Sequence, residues 1–149
     1  QLPTDLPKEF KLANGFDKPN WLMPGILIIQ SPAFTNQSQR EKQIHELIHS
    51  LENIKGISTI PLIILADDSE FTSKTINNFL WVTFSRSNPS HDIYGVGSNI
   101  EHKHWGCTGP LIIDAGVKSH HASTLIEDPL VTRKVDDLGK KGGPLHGII

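Results

Sequence analysis

From Ile60 to Asp68 the sequence reads IPLIILADD, and this stretch decides the fold class of the chain. Apolar, mostly branched residues follow one another without polar alternation, which is typical of a strand buried on both faces of a sheet. The two acidic residues end the strand. Runs of the same kind cover residues 25–30 and 111–115, and residues 92–96 read as a shorter strand. Helices must cover both faces of such a sheet, so the pattern favours a layered domain.

Helical patterns alternate with these strands. Residues 38–54 are predicted to form a helix, with Ser38 as N-cap and Glu41 completing a capping box. Its apolar stripe comprises Ile44, Leu47, Ile48, Leu51 and Ile54. A second helix is predicted over 72–80, capped by Thr72 or Ser73. A last helix is predicted over about 129–139, with Asp128 as cap and Pro129 in the first turn.

The fold class predicted from this order is α/β or α+β, with a mixed sheet of about four to six strands covered by helices. Residues 1–24 hold four prolines and are interpreted as an irregular N-terminal linker. Residues 25–141 are expected to form one domain, and 142–149 a tail with an apolar end. Within the domain, 80–84 could extend the second helix or form a strand, and its composition favours the strand. Residues 97–109 and 116–127 are interpreted as loops.

Composition excludes several classes of protein. A net charge of -2 over 149 residues gives no dense cationic face for nucleic acid. One cysteine, Cys107, cannot form an internal disulfide. No apolar run approaches the roughly 20 residues of a membrane span, and no signal peptide opens the chain. We therefore expect a cytoplasmic protein. Because the chain begins at Gln1 rather than Met, we interpret it as a piece of a longer protein.

The segment 45–49, His-Glu-Leu-Ile-His, matches the H-E-x-x-H zinc motif on a predicted helix. In a zinc hydrolase His45 and His49 would bind the metal, Glu46 would activate water, and Glu70 could be a third ligand. At about 100° per residue, however, both histidines fall well away from the apolar stripe. A zinc helix turns its histidines inward, so we reject both as ligands and keep the zinc hydrolase as the alternative function.

Other polar groups have competing interpretations. His102 and His104 could share one face of an extended segment, and Cys107 could be a nucleophile beside His104, but ordinary loop residues explain all three. Arg86, Asp92 and Asp114 stand at the ends of apolar runs. Two roles remain open for these charges: a structural ion pair, or recognition of an anionic group by the guanidinium fork.

One set of segments resembles a known family. The segments are residues 65–68 (LADD), 79–86 (FLWVTFSR), Asn88-Pro89, Asp92-Ile93, and 113–115 (IDA) followed by Lys118. Their order and spacing over about residues 60–120 resemble the C-terminal region of UbiD-like decarboxylases, the 3-octaprenyl-4-hydroxybenzoate carboxy-lyase family. Two positions depart from that pattern. Gly116 stands where the family usually has Thr, and Pro110 stands where a Lys is expected.

This resemblance implies that the chain is the C-terminal oligomerisation and active-site-closing domain of a decarboxylase in quinone biosynthesis. The enzyme would act on an aromatic acid such as a (polyprenyl) 4-hydroxybenzoate, with prenylated FMN, Mn²⁺ and K⁺ bound outside this chain. The isolated domain would be inactive. Candidates for residues near the cofactor or at the domain interface are Arg86, Asp92, Asp114 and Lys118.

The same resemblance implies the partners. They would be the N-terminal catalytic domain of the same protein and further copies in a homo-oligomer, and a prenylated substrate would bring the enzyme to the membrane surface. Besides the zinc hydrolase, a plain interaction module unrelated to decarboxylation remains open.

Overall fold

The computed structural model describes residues 1–122 and 128–148, and these contain a five-stranded mixed sheet and a two-stranded hairpin. The strands are β1 (Asp17–Met23), β2 (Ile26–Gln30), β3 (Leu62–Ala66), β4 (Ile93–Gly95), β5 (Ser98–Glu101), β6 (His104–Cys107) and β7 (Leu111–Asp114). The order in the five-stranded sheet is β1-β2-β3-β7-β4, and β5 and β6 form the hairpin. The α-helices are α1 (Gln37–Glu52), α2 (Ser69–Lys74), α3 (Ile76–Arg86) and α4 (Pro129–Gly139). The predicted fold class is confirmed.

Helices cover both faces of the central strands. Because successive strand residues point to opposite faces, each continuous apolar run supplies two cores. Leu27, Ile29, Ile63, Leu65 and Ile112 pack with Ile44, Leu47 and Leu51 of α1. Ile28, Ile64, Ala66 and Ala115 pack with Phe79 and Val82 of α3. The uninterrupted runs therefore reflect burial on both sides, as predicted.

The parallel register brings the carboxyl ends of three strands to one edge. β2 pairs with β3, and β3 pairs with β7, both in parallel; β1 and β4 are antiparallel strands at the two sides. Gln30 lies opposite Ala66, and Leu65 lies opposite Asp114. The residues after β2, β3 and β7 consequently share one edge, which is where ligands of open α/β sheets gather.

Two predicted helices are confirmed, with one change of cap. α4 begins at Pro129, and the Asp128 carboxylate accepts the Leu130 N–H. In α1 the N-cap is Asn36, not Ser38, because the Asn36 side chain accepts the Gln39 N–H at 2.9 Å. The predicted N-cap was therefore placed two residues too late, and Glu41 accepts a hydrogen bond from the Gln37 side chain instead of closing a capping box.

The region from 69 to 86 was predicted only in part. It forms two helices, α2 and α3, with Asp68 and Thr75 as their caps. The single helix over 72–80 is replaced by these two, and 80–84 continues the helix instead of forming the favoured strand. Phe79, Val82 and Thr83 are the buried residues of α3. Their spacing of three and four residues is helical, and this periodicity outweighs the strand preference of branched and aromatic residues.

Two segments predicted to be irregular contain strands. β1 lies within residues 1–24 and pairs with β2, so the irregular part of that segment ends before Asp17. The predicted loop 97–109 contains the β5-β6 hairpin, whose turn residues His102 and Lys103 both have positive φ. Neither is glycine, which explains why no turn signal was visible.

Residues 116–122 form a loop as predicted, and 123–127 lie outside the described residues. None of the helices in the described ranges is long and apolar enough to cross a membrane.

Candidate functional site: a buried ionic cluster at the sheet edge

Three of the four predicted site residues meet at the carboxyl edge of the sheet. Lys118 Nζ lies 3.3 Å from Asp92 Oδ2 and 3.5 Å from Asp114 Oδ2. All three side chains are under 5% exposed. Lys118 Nζ also donates to the backbone oxygen of Asp114 at 3.1 Å. The ammonium group of Lys118 therefore points into the protein, and its N–H donors face protein atoms instead of solvent.

A fourth charged residue, Arg40, completes the cluster from α1. Its Nε lies 3.5 Å from Asp114 Oδ2, and the side chain is 1% exposed. The ring of Phe34 lies 6.0 Å from the guanidinium carbon. None of the three guanidinium nitrogens has a hydrogen-bond partner among the described residues. Two cations and two anions make the cluster neutral overall, which limits the cost of burying it.

Local backbone turns fix the two carboxylates. Asp114 Oδ1 accepts the Gly116 N–H at 3.0 Å, and Asp92 Oδ2 accepts the Asn88 N–H at 2.7 Å. The Asp114 N–H in turn donates to the Asp92 backbone oxygen at 2.9 Å. Each carboxylate is thus oriented by a backbone N–H of its own loop, in addition to its contacts with the cations.

Arg86, the remaining predicted residue, belongs to a neighbouring pair. Its Nη1 lies 3.1 Å from Asp67 Oδ2, and its guanidinium carbon lies 5.3 Å from the centre of the Trp81 ring. The same Asp67 oxygen accepts the Val117 N–H at 2.8 Å. Arg86 therefore forms an ion pair between the end of α3 and the residue after β3, and recognition of an anionic group stays a prediction.

Burial and charge shift two pKa values around the cluster. Burial raises the pKa of Tyr94 to about 12, and the charges of Asp114 and Asp92 act in the same direction. Burial also lowers the pKa of His121, assisted by His120 and Lys118. Both groups are consequently held in their neutral forms near pH 7.

The other sequence candidates do not converge. His45 and His49 are on the exposed face of α1, as the helical spacing predicted. The Nδ1 of His45 lies 2.7 Å from the backbone oxygen of Glu41, and the Nδ1 of His49 lies 3.6 Å from Glu52 Oε2. His102, His104 and Glu70 are exposed, and Cys107 is half-buried. Within the described ranges, no three His, Cys, Asp or Glu residues group as metal ligands.

Sequence reasoning missed Arg40, although a signal was present. Arg40 lies four residues before Ile44, so it occupies the same buried stripe of α1 as Leu47 and Leu51. A charged residue in an apolar stripe indicates a buried partner, because an unpaired buried charge costs several kcal/mol. No simple pattern identified that partner as Asp114.

Comparison with known proteins finds two sequence relatives. No protein-family model matches the chain. It is 26% identical over 136 residues to an uncharacterized protein of Chlamydia caviae, covering 88% of this chain and 21% of that protein. It is 32% identical over 90 residues to one subunit of the 4-hydroxybenzoate decarboxylase of Chlamydia pneumoniae, covering 60% of this chain and 15% of that relative.

Two solved structures show a distant likeness. Both are of the vanillic acid decarboxylase of Sedimentibacter hydroxybenzoicus in its open form, with a TM-score of 0.45 and 14% and 15% identity. The matches cover 76% and 78% of this chain, and 26% and 27% of the other chains. By sequence, then, the chain is similar to part of a decarboxylase and spans 15% of the length of that relative.

Proposed function

We propose that this chain is the C-terminal oligomerisation and active-site-closing domain of a UbiD-like decarboxylase. The observation that carries the proposal is the 32% identity to one subunit of a 4-hydroxybenzoate decarboxylase. The substrate class proposed with it is an aromatic acid such as 4-hydroxybenzoate or its polyprenyl derivative. A prenylated substrate would bring the enzyme to a membrane surface.

The chemistry of decarboxylation would lie outside this chain. Prenylated FMN, with Mn²⁺ and K⁺, would supply it in the complete enzyme. The residues present here do not fit that group, because Lys118, the lysine named above as a candidate near the cofactor, is buried and bound to Asp92 and Asp114. The described residues also offer no cluster of three metal ligands. We assign cofactor binding to the proposed N-terminal catalytic domain of the same protein, which we call the catalytic segment.

The surface of the chain supports a docking role. Five large apolar side chains on α2 and α3 are 44–68% exposed: Phe71, Ile76, Leu80, Trp81 and Phe84. On α4, which has no buried residue, four more are 41–65% exposed: Leu130, Val131, Val135 and Leu138. Ile148 in the tail is 76% exposed, and Ile149 lies outside the described residues. Contiguous apolar faces of this kind usually mark contacts with other protein surfaces. The proposed partners are the catalytic segment and a second copy of the domain.

The proposal separates into two tests. First, the isolated chain, supplied with prenylated FMN and Mn²⁺, is assayed for CO₂ release from 4-hydroxybenzoate beside the longer protein that contains it. We expect release by the longer protein alone. Turnover by the isolated chain at a comparable rate would show that catalysis resides here.

Second, Phe84→Asp is compared with Ile100→Asp in the longer protein. Both positions are exposed, at 68% and 76%, but Ile100 lies on the β5-β6 hairpin and not on a helix. We expect the Phe84 variant to lose oligomer in light scattering and to lose turnover, and the Ile100 variant to retain both. Equal behaviour of the two variants would exclude the helical face as the docking surface. A domain that bound neither itself nor the catalytic segment would favour an unrelated interaction module.

A further inference from the structure

The loop after the ionic cluster contains a turn that a histidine ring closes. The His121 N–H donates to the Lys118 backbone oxygen at 3.0 Å. In the opposite direction, the Lys118 N–H donates to Nδ1 of the His121 ring at 3.1 Å. A ring nitrogen that accepts a hydrogen bond carries no proton, so this geometry requires neutral His121 with its proton on Nε2.

We propose that the turn 118–121 is an acid-sensitive switch. The neutral His121 ring closes the turn, and protonation of that ring opens it. Protonation removes the acceptor, because both ring nitrogens then become donors. The backbone N–H of Lys118 would face an N–H instead of a lone pair. One hydrogen bond of the turn is lost, and its donor is left opposite a positive charge.

The groups around His121 oppose its protonation. The His120 ring lies 4.4 Å from the His121 ring, between centroids. Lys118, within the turn, and Arg86, at the end of α3, add positive charge, while Asp92 alone acts in the opposite direction. Burial is the largest cause, and together with His120, Lys118 and Arg86 it lowers the pKa of His121. Opening the turn moves the ring away from them and into water.

The lowered pKa of His121 sets the sign of the pH effect. The open turn binds a proton near the ordinary pKa of about 6.5, and the closed turn binds it only at lower pH. The closed form is therefore fully favoured above about pH 6.5 and is lost as the pH falls through the lowered pKa. Well below that pKa, the equilibrium constant for opening exceeds its value at high pH by a fixed factor. The factor is the acid dissociation constant of His121 in the closed turn divided by that in the open turn.

Opening would be confined to the outer part of the loop. Lys118 Nζ stays bound to Asp92 and Asp114, which anchors the inner end. Val117, the residue before the turn, donates its N–H to Asp67, the partner of Arg86. Acid would consequently loosen the surface beside Arg86 while leaving the sheet and the cluster in place.

The test measures two quantities on the same protein by NMR: the titration of the His121 ring, and the protection of the Lys118 amide between pH 8 and pH 5, corrected for intrinsic exchange. We expect protection to fall by the factor that the measured His121 pKa predicts. His121→Asn, whose side-chain oxygen accepts at any pH, should keep the amide protected throughout. His120→Asn should retain the fall in protection, with the pKa of His121 moved upward.

Either of two results would overturn the proposal. One is a Lys118 amide whose protection stays constant while the His121 ring titrates. The other is a His121 ring that titrates at or above about 6.5. Both results can be read from the unmodified protein, so they do not depend on the folding of a variant.

Discussion

Substitution of Gly116 by alanine tests the packing of the ionic cluster most directly. A methyl group on Gly116 would lie 2.7 Å from Arg40 Nη2 and 3.1 Å from Asp114 Oδ1. Ordinary contacts of such a carbon begin near 3.4 Å, so the guanidinium would have to retreat by about 0.7 Å. Arg40 is 1% exposed and Asp114 fully buried, which leaves neither side chain a free direction of movement.

The expected cost is that of overpacking a core. Such changes destabilise proteins by typically about 1–3 kcal/mol. We expect a loss near the middle of that range, about 2 kcal/mol, since the clash is with one nitrogen rather than with backbone. In a chain of this length such a loss lowers Tm by roughly 4–8 °C. The Gly116 backbone has no positive φ, so strain at the glycine itself adds nothing.

The measurement is thermal and urea unfolding of the variant beside Gly106→Ala. Gly106 also lacks a positive φ, and its nearest neighbour to an added methyl is Asn99 Oδ1 at 3.7 Å. A second control removes the obstacle: in an Arg40→Met background, Gly116→Ala should cost under about 0.5 kcal/mol. If Gly116→Ala and Gly106→Ala unfold alike, or if the Arg40→Met background leaves the cost unchanged, the guanidinium does not occupy the space beside Gly116.

Four further outcomes are expected. Lys118→Met leaves two buried carboxylates with one cation and should cost about 3–5 kcal/mol in urea unfolding; a loss below about 1 kcal/mol would contradict the cluster. Tyr94 should ionise with a midpoint of about 12 in ultraviolet absorbance, because burial and nearby carboxylates disfavour the phenolate; a midpoint near the usual 10 would contradict its placement. Asn36→Ala should lose about 1 kcal/mol of stability and Ser38→Ala almost none; the reverse would restore the predicted cap. His49→Ala should leave the zinc content and, within about 0.5 kcal/mol, the stability unchanged; a loss of bound zinc would favour the hydrolase.

The central strands could be predicted because their residues are apolar at consecutive positions. β2, β3 and β7 each contain a run of Ile and Leu, and a strand covered on both faces needs apolar residues at every position. Of the two edge strands, β4 was predicted within residues 92–96, whereas β1 was missed. β1 carries Pro19 and charged residues within Asp17–Met23, because one side of an edge strand faces solvent and its pattern resembles a loop.

The helix α3 shows how a local preference misleads when both faces of an element are apolar. Residues 79–84, FLWVTF, contain no charged position that would reveal a period of 3.6, and branched and aromatic residues favour strands. The burial of Phe79, Val82 and Thr83 at helical spacing decides the structure. The Thr75 side chain adds a cap by accepting the Asn78 N–H. Exposure of Leu80, Trp81 and Phe84 is the consequence, and it also supports the proposed docking role.

The candidate site was predicted in part for a physical reason that applies to any α/β sheet. Asp92 and Asp114 could be named because each lies at the end of an apolar run, whereas Lys118 was named only through the resemblance of residues 113–118 to the decarboxylase family. Arg40 reaches Asp114 across 74 positions of sequence, through the packing of α1 on β2, β3 and β7. Such a contact depends on where the helix lies along the sheet, which the helix's own pattern does not contain. Gly116 shows the same dependence, since its missing side chain makes sense only once the guanidinium of Arg40 is seen beside it.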